Sequence, residues 1–170
     1  MSDPSGAIPE LGFGGRAEAG VVRLSFNPGS AAMARSLDTE LFPLLAHELH
    51  HVARFRTAGL STNLLGAMIA EGLADQFAVE VAGTDPAIWA TALSGDALAG
   101  WTERSRDQWF NDDYNHAAWF FGASASIPRW AGYSIGFELT RQYLLAHPAR
   151  RPSNLFAEPA SSFLPPDASN

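Results

Sequence analysis

The sequence contains no cysteine. Disulfide bonds, thiol catalysis and thiolate metal sites are therefore excluded, and any metal must be held by histidine, aspartate, glutamate or backbone oxygens. The chain also has no run of basic residues, and its net charge is −7. Nucleic acid and anionic membrane surfaces are consequently not expected as partners.

Long hydrophobic runs are missing as well, and no segment approaches the length needed to cross a membrane. The N-terminus, MSDPSGAIPELGFGG, lacks the basic start and apolar stretch of a signal peptide. We therefore expect a soluble, cytoplasmic protein. The 170 residues suit a single domain, 1–170. Within it, residues 1–15 and about 150–170 are expected to be loose, because their composition is rich in proline, serine and, at the N-terminus, glycine.

The N-terminal part of the chain predicts a small β element. In GVVRLSFNPGS (residues 20–30), successive side chains are expected to point to opposite faces until the turn residues Asn27-Pro28-Gly29. This pattern predicts a strand at Val21–Phe26. Several glycines precede this strand and indicate a short hairpin.

Helical patterns follow the hairpin. The first helix is predicted from near Asp38 or Thr39 to Thr57, because Pro43 fits only in the first turn. Its apolar stripe, which we expect to face the core, consists of Leu41, Leu45, Leu49 and Val52. Further helices are predicted at about Asn63 to Ala82, from Asp85-Pro86, at about Asp96 to Phe110, and in GYSIGFELTRQYLLAHP up to Pro148.

Three of the five histidines lie close together in the first predicted helix, in HELHH (residues 47–51). His47 and His51 are one turn apart and about 40° around the helix, so both imidazoles can reach one zinc ion. Glu48 lies beside them and is predicted to be the general base that accepts a proton from water. His50 is about 100° from His51, and we expect it at the surface or beside the ligands rather than on the metal.

A catalytic zinc site commonly has three protein ligands, and the third is predicted on the next helix. Residues 52 to 70, which separate His51 from Glu71, allow a turn and half of an antiparallel helix. Glu71 would then face both histidines. Asp75, four residues further on, could accept the free ring N–H of a ligand histidine, most simply that of His47. H-E-x-x-H alone occurs by chance, but Glu71 and Asp75 together make chance a poor explanation.

H-E-x-x-H followed by E-x-x-x-D on a second helix resembles the gluzincin metallopeptidases, the thermolysin-like clan. The segments HELHHVARFR, AEGLADQFA and IPRWAGYSIGFELTRQYL resemble, in this order, an uncharacterised bacterial family of predicted zinc-dependent proteases. The resemblance covers roughly residues 20 to 145. It implies Zn²⁺ as cofactor and hydrolysis of peptide bonds, in a family whose substrates are generally not known. Leu49 departs from the aromatic residue expected at that position.

The resemblance also suggests where the developing oxyanion is stabilised, because a tyrosine or histidine from the C-terminal part has this role in the clan. Tyr133, which follows a Ser/Gly loop at a helix start, is the first candidate, although it could equally be a core tyrosine. His116 is the second, and Asp112 and Asp113 are expected to raise its pKa. An edge strand pairs with the substrate main chain in such enzymes, and Val21–Phe26 could take that role or simply complete the sheet.

These observations predict an α+β fold, with a small N-terminal β element on a mainly helical body. His47, His51 and Glu71 are the predicted metal ligands, and the predicted partner is a peptide or protein substrate. Two other functions stay open: zinc-dependent hydrolysis of a non-peptide amide, and a non-enzymatic metal-binding regulatory module. His₂Glu also accepts other divalent ions. The short chain leaves an open, shallow site or a homodimer that supplies the missing wall.

Overall fold

The computed structural model describes residues 6–165 and confirms the α+β class. A two-stranded antiparallel sheet precedes a helical body. The elements are β1 (Phe13–Glu18), β2 (Val21–Phe26), α1 (Ala31–Thr57), α2 (Leu64–Ala82), α3 (Gly95–Ser105), α4 (His116–Phe121) and α5 (Ala131–Ala146). Short 3-10 helices lie at Arg106–Gln108, Pro152–Asn154 and Ala160–Phe163. In this described part of the chain, no helix combines the length and apolar character needed to cross a membrane.

The predicted hairpin is confirmed. β1 and β2 pair in the register Phe13↔Phe26 to Glu18↔Val21, so residues 19 and 20 make a tight turn. Gly20 has a φ of 82°, a conformation that most residues with a Cβ avoid. Phe13 is fully buried in a cluster beneath the hairpin. The hairpin is thereby packed against the first helix.

Helix α1 begins seven residues earlier than the Asp38 start predicted from the position of Pro43, so that prediction was wrong. Its N-cap is Ser30, whose hydroxyl accepts a hydrogen bond from the backbone N–H of Ala32 at 3.2 Å. The extra turns pack Met33 and Leu37 against the cluster beneath the hairpin. We infer that this packing outweighs the cost, roughly 3 kcal/mol, of keeping proline inside the helix.

Helix α2 agrees with its prediction, since Asn63 caps its start and Gly83 ends it in the left-handed conformation. No helix forms at Asp85-Pro86, where residues 83–87 are irregular and residues 88–91 form a turn. This segment is tied to α5 instead. The Ser134 hydroxyl donates to the carbonyl of Trp89 and accepts from the backbone N–H of Leu93, each at 3.0 Å. Helix α3 also ends at Ser105, short of the predicted Phe110.

Helices α2 and α5 cross where two glycines bring their backbones together. A Cβ on Gly72 would lie 2.1 Å from the carbonyl oxygen of Gly136, and a Cβ on Gly136 would lie 1.9 Å from that of Met68. Both distances are far below van der Waals contact, so only glycine allows this approach. Because Glu71 precedes Gly72, the crossing also fixes where Glu71 lies.

The C-terminal segment does not fit the expectation that residues from about 150 onward are loose. Leu155 is fully buried, and Phe163 is 3% exposed. The buried guanidinium of Arg54 donates to the carbonyls of Phe156 at 3.2 Å and Glu158 at 3.0 Å. The segment therefore packs along α1. At the N-terminus, Leu11 is buried and residues 13–15 form the start of β1, so this end is not loose either. The outer parts of both predicted loose ends, residues 1–5 and 166–170, lie outside the described residues.

We predict that Gly136→Ala destabilises the protein by about 1–3 kcal/mol, because the added methyl group forces α2 and α5 apart. The control is Gly100→Ala on the exposed side of α3, where nothing lies within 4 Å of the added Cβ. That change should be neutral or stabilise the helix by up to about 1 kcal/mol. Urea unfolding of both variants measures this, and equal stabilities would argue against the close crossing.

Candidate metal centre

Three side chains from α1 and α2 converge on one point. The Nε2 atoms of His47 and His51 are 3.0 Å apart, and they lie 3.1 Å and 3.3 Å from Oε2 of Glu71. Nitrogen and oxygen ligands on one tetrahedral zinc, at about 2.0–2.1 Å from the metal, are roughly 3.4 Å from one another. The spacing and the donor types therefore fit a zinc ion, and these three residues could hold it.

Asp75 orients His47 from behind. Its Oδ1 accepts a hydrogen bond from Nδ1 of His47 at 2.7 Å, so the lone pair of Nε2 points toward Glu71 and His51. The same oxygen accepts a hydrogen bond from the indole N–H of Trp89 at 3.0 Å. Asp75 is 2% exposed and is held on two sides. The contact between Asp75 and His47 is the one that the sequence spacing predicts, whereas the contact between Trp89 and Asp75 was not predicted.

The charges of this cluster favour the ionised form of the Glu71 carboxylate. Burial alone would raise the pKa of Glu71, but His51 and His47 outweigh burial and hold that pKa below its usual range. Burial opposes protonation of His47, yet Asp75 and Glu71 outweigh it and hold the pKa of His47 well above its usual range. A proton on His47 therefore competes with a metal ion for the same nitrogen.

Glu48 lies beside the cluster without being part of it. Glu48 is 5% exposed, and its side chain packs beneath β1, where a Cβ on Gly15 would lie 2.7 Å from Oε1 of Glu48. Gly15 is thus the residue that leaves room for Glu48. Burial raises the pKa of Glu48, while His47, His51 and a hydrogen bond from the backbone of Ala17 counteract part of that rise. A carboxylate with a raised pKa is better suited to accept and release protons near neutral pH.

The strand that contacts Glu48 is β1, through Gly15 and Ala17. The strand suggested from the sequence as the substrate-pairing edge is its neighbour, Val21–Phe26. The alternation pattern identifies Val21–Phe26 as a strand, but it does not show which strand of a hairpin faces a helix. On the side away from β2, the backbone N–H of Ile8 bonds to the carbonyl of Phe13. Of the described N-terminal residues 6–12, Ile8 thus pairs with this edge, at the start of β1.

A cleft of about 980 Å³ opens over the cluster. The hairpin supplies one wall of this cleft. From the short length of the chain we had expected an open, shallow site or a wall supplied by a second copy. His47, Glu48, His51 and Glu71 all line it. Its other lining residues include Arg16 and Glu18 of β1, Trp89, Tyr114, His116, Trp130 and Tyr133.

Tyr133 and His116, the two candidates for stabilising an oxyanion, both line the cleft. Burial raises the pKa of Tyr133 well above its usual range, and Glu71 and Asp75 add to the effect. The phenol therefore stays protonated. His116 differs from the prediction, because burial lowers its pKa and the exposed Asp112 and Asp113 do not counter this.

Tyr114 is a side-chain partner of His116 that we did not predict from the sequence. The hydroxyl of Tyr114 lies 3.0 Å from Nδ1 of His116. If the hydroxyl donates to a neutral imidazole, Nε2 carries the ring proton and can donate a hydrogen bond. The ring of His116 also stacks on Phe120, with centroids 4.5 Å apart. Tyr114 and His116 are two residues apart and joined by a loop, where no sequence period relates position to direction. Their contact could therefore not be predicted from the sequence.

His50 is not at the surface, and its ring nitrogens make no hydrogen bond to the candidate ligands, which corrects the prediction of a surface position or one beside the ligands. As expected, it is not one of the three converging side chains. It is fully buried, with ring centroids 5.6 Å from Phe77 and 4.9 Å from Phe156 of the C-terminal segment. Neither ring nitrogen has a hydrogen-bond partner among the described residues. Burial, together with the nearby His51 and His47, lowers the pKa of His50 to about 2. His50 therefore behaves as an apolar packing residue.

We predict that His50 makes the protein acid-sensitive. In the folded protein His50 stays neutral, whereas in the unfolded chain it takes up a proton below a pKa of about 6.5. Its contribution to the free energy of unfolding is thus complete above about pH 6.5 and is lost as the pH falls toward 2. The slope is at most about 1.4 kcal/mol per pH unit.

Urea unfolding at pH 7 and pH 5, with chelator present, measures this effect. His50→Leu should lose less stability between the two pH values than the wild type does. The other four histidines are present in both proteins, so their contributions cancel in the difference. Equal losses in the two proteins would show that His50 is not held neutral by burial.

Comparison with known proteins adds one match. The family model described as "Predicted Zn-dependent protease (DUF2268)" matches residues 3–165. No curated protein and no solved structure matches the chain. The match includes both strands, all five α-helices and every residue of the cluster described above. Since it spans nearly the whole sequence, the chain belongs to this family of predicted zinc-dependent proteases.

Proposed function

We propose that the protein is a zinc-dependent peptidase of the gluzincin type, in which His47, His51 and Glu71 hold the metal and Glu48 is the general base. This proposal rests mainly on the position of Glu48. A metal site that only stabilises a fold has no use for a buried carboxylate beside the ligands and facing an open cleft. The family description supports zinc and protease activity at a coarser level.

The chemistry divides between the metal and the chain. Zinc, when bound, polarises a carbonyl group and makes a nearby water molecule more acidic. Glu48 accepts the proton of the attacking water and later delivers it to the leaving amine, a task suited to its raised pKa. Asp75 keeps Nε2 of His47 free for the metal by accepting the proton on Nδ1. Trp89 holds Asp75 in place.

Tyr133 is the proposed donor to the developing oxyanion. Its phenol stays protonated because burial and the surrounding carboxylates raise its pKa, so it has a hydrogen to donate. None of the hydrogen bonds within the described residues involves its hydroxyl, which is therefore free for a substrate. His116 is the alternative donor, through Nε2, because the hydroxyl of Tyr114 lies within hydrogen-bonding distance of its other nitrogen.

The cleft also favours an extended substrate. Residues 15–18 of β1 line it above Glu48, and their edge is the one that β2 leaves open. An extended peptide can pair with such an edge and place its carbonyl groups over the cluster. A peptide main chain can form several backbone hydrogen bonds with this edge of β1. A small non-peptide amide has no second and third carbonyl group with which to do so. The edge therefore favours a peptide over the alternative substrate.

We predict that Glu48→Gln lowers peptide cleavage by about 10²- to 10⁴-fold, because the amide cannot accept the proton from water. Zinc content should stay unchanged, since Glu48 is not among the three converging side chains. The assay uses a mixed peptide library, zinc-loaded protein and mass spectrometry of the products. Chelation of the metal should also abolish cleavage.

Two controls make the result specific. Glu103→Gln, on the exposed face of α3, should cleave as the wild type does. His47→Ala should lose both zinc and activity. Zinc-loaded wild type that cleaves no peptide would favour a non-peptide amide substrate or a regulatory module. Full activity of Glu48→Gln would exclude Glu48 as the base.

A further inference from the structure

The outward face of α1 carries a line of four apolar residues, two of which are strongly exposed. Phe42 is 56% exposed and Leu49 is 50% exposed, and Leu45 and Val52 between and beyond them are partly buried. Sequence analysis expected Leu49 to face the core, and this expectation was wrong. The reason is that His47 and His51 occupy the face of α1 toward α2, and Leu49 lies on the opposite side of the helix.

The spacing of these four residues is that of a helix-pairing seam. The steps from Phe42 to Leu45, Leu49 and Val52 are three, four and three residues, the a/d pattern of a coiled coil. They lie on the side of α1 opposite His47. Exposed apolar residues that stand alone need no explanation, but two exposed and two partly exposed ones in one line along a helix indicate a docking surface.

We propose that a second copy of this chain docks on this face, with the two α1 helices antiparallel about a two-fold axis. In that arrangement Phe42 packs against Val52 of the partner subunit, and Leu45 packs against Leu49 of the partner subunit. Each contact occurs twice, as an isologous interface requires. In antiparallel coiled coils a positions lie beside d positions, and this register satisfies that rule in both layers.

Charges at the two ends of the line select this partner and this direction. Asp38 lies one turn before Phe42, and Arg56 lies one turn after Val52. Both are exposed, and none of the ion pairs found within residues 6–165 includes either of them. The guanidinium of Arg56 lies beside Gly20 in the turn of the hairpin, at the edge of this face. The antiparallel register brings Asp38 beside Arg56 of the partner subunit at both ends. A parallel pair would instead place like charges together, which costs free energy.

The proposed interface leaves the metal centre accessible. His47 and His51 face α2, on the far side of α1 from the line. The two clefts of a dimer would therefore open away from the shared surface. Dimer formation and peptide cleavage are separate properties, and loss of one should not abolish the other.

Sedimentation equilibrium of the full chain over a range of concentrations tests the proposal. The expected mass is twice the 18.2 kDa of one chain, and Leu49→Glu should yield the monomer mass. Leu145→Glu on α5 is the matched control, because Leu145 is 68% exposed and lies away from the line. This control should remain a dimer. Circular dichroism shows whether each variant is folded.

A charge exchange tests the register. Asp38→Arg and Arg56→Asp should each weaken the dimer by about 10-fold or more, because each places like charges side by side. The double variant should restore most of the affinity. A wild type that stays monomeric at all concentrations would overturn the proposal. So would a dimer that persists in Leu49→Glu, or single charge variants that the double exchange does not rescue.

Discussion

Burial of two histidines and two carboxylates between α1 and α2 is the constraint on which the rest of this structure depends. Removing such groups from water is costly unless each finds a partner. Here the partners are the groups themselves: Asp75 accepts from His47, and Glu71 contacts both His47 and His51. The arrangement leaves three electron-pair donors directed at one point, which is what a zinc ion requires.

The surrounding elements hold these two helices in register. The glycine crossing of α2 with α5 positions α2, and the hairpin packs against α1 and covers Glu48. On the third side, Arg54 ties the C-terminal segment to α1, and Phe156 packs against His50. Helix α1 thus presents different chemistry on each side, and Phe42 and Leu49 are left exposed on the outward face.

The sequence predicted the parts of the site that follow from helical geometry. His47 and His51 are one turn apart, and Asp75 is one turn beyond Glu71, so their common faces can be read from spacing alone. The contacts of Trp89 and Tyr114 come from irregular segments, where no period relates position to direction. His50 and Leu49 were misplaced for another reason. A buried metal centre reverses the usual rule that polar residues face water, and spacing cannot show which side of a helix faces inward.

The central claim is that His47, His51 and Glu71 bind one zinc ion while Glu48 stays free. Crystals of the zinc-loaded protein, measured at the zinc absorption edge, test it most directly. We expect one anomalous peak about 2.0–2.2 Å from Nε2 of both histidines and from a carboxylate oxygen of Glu71. The carboxylate of Glu48 should lie outside bonding distance. A peak at another site, or one bonded to Glu48, would contradict this assignment of the metal ligands and the base.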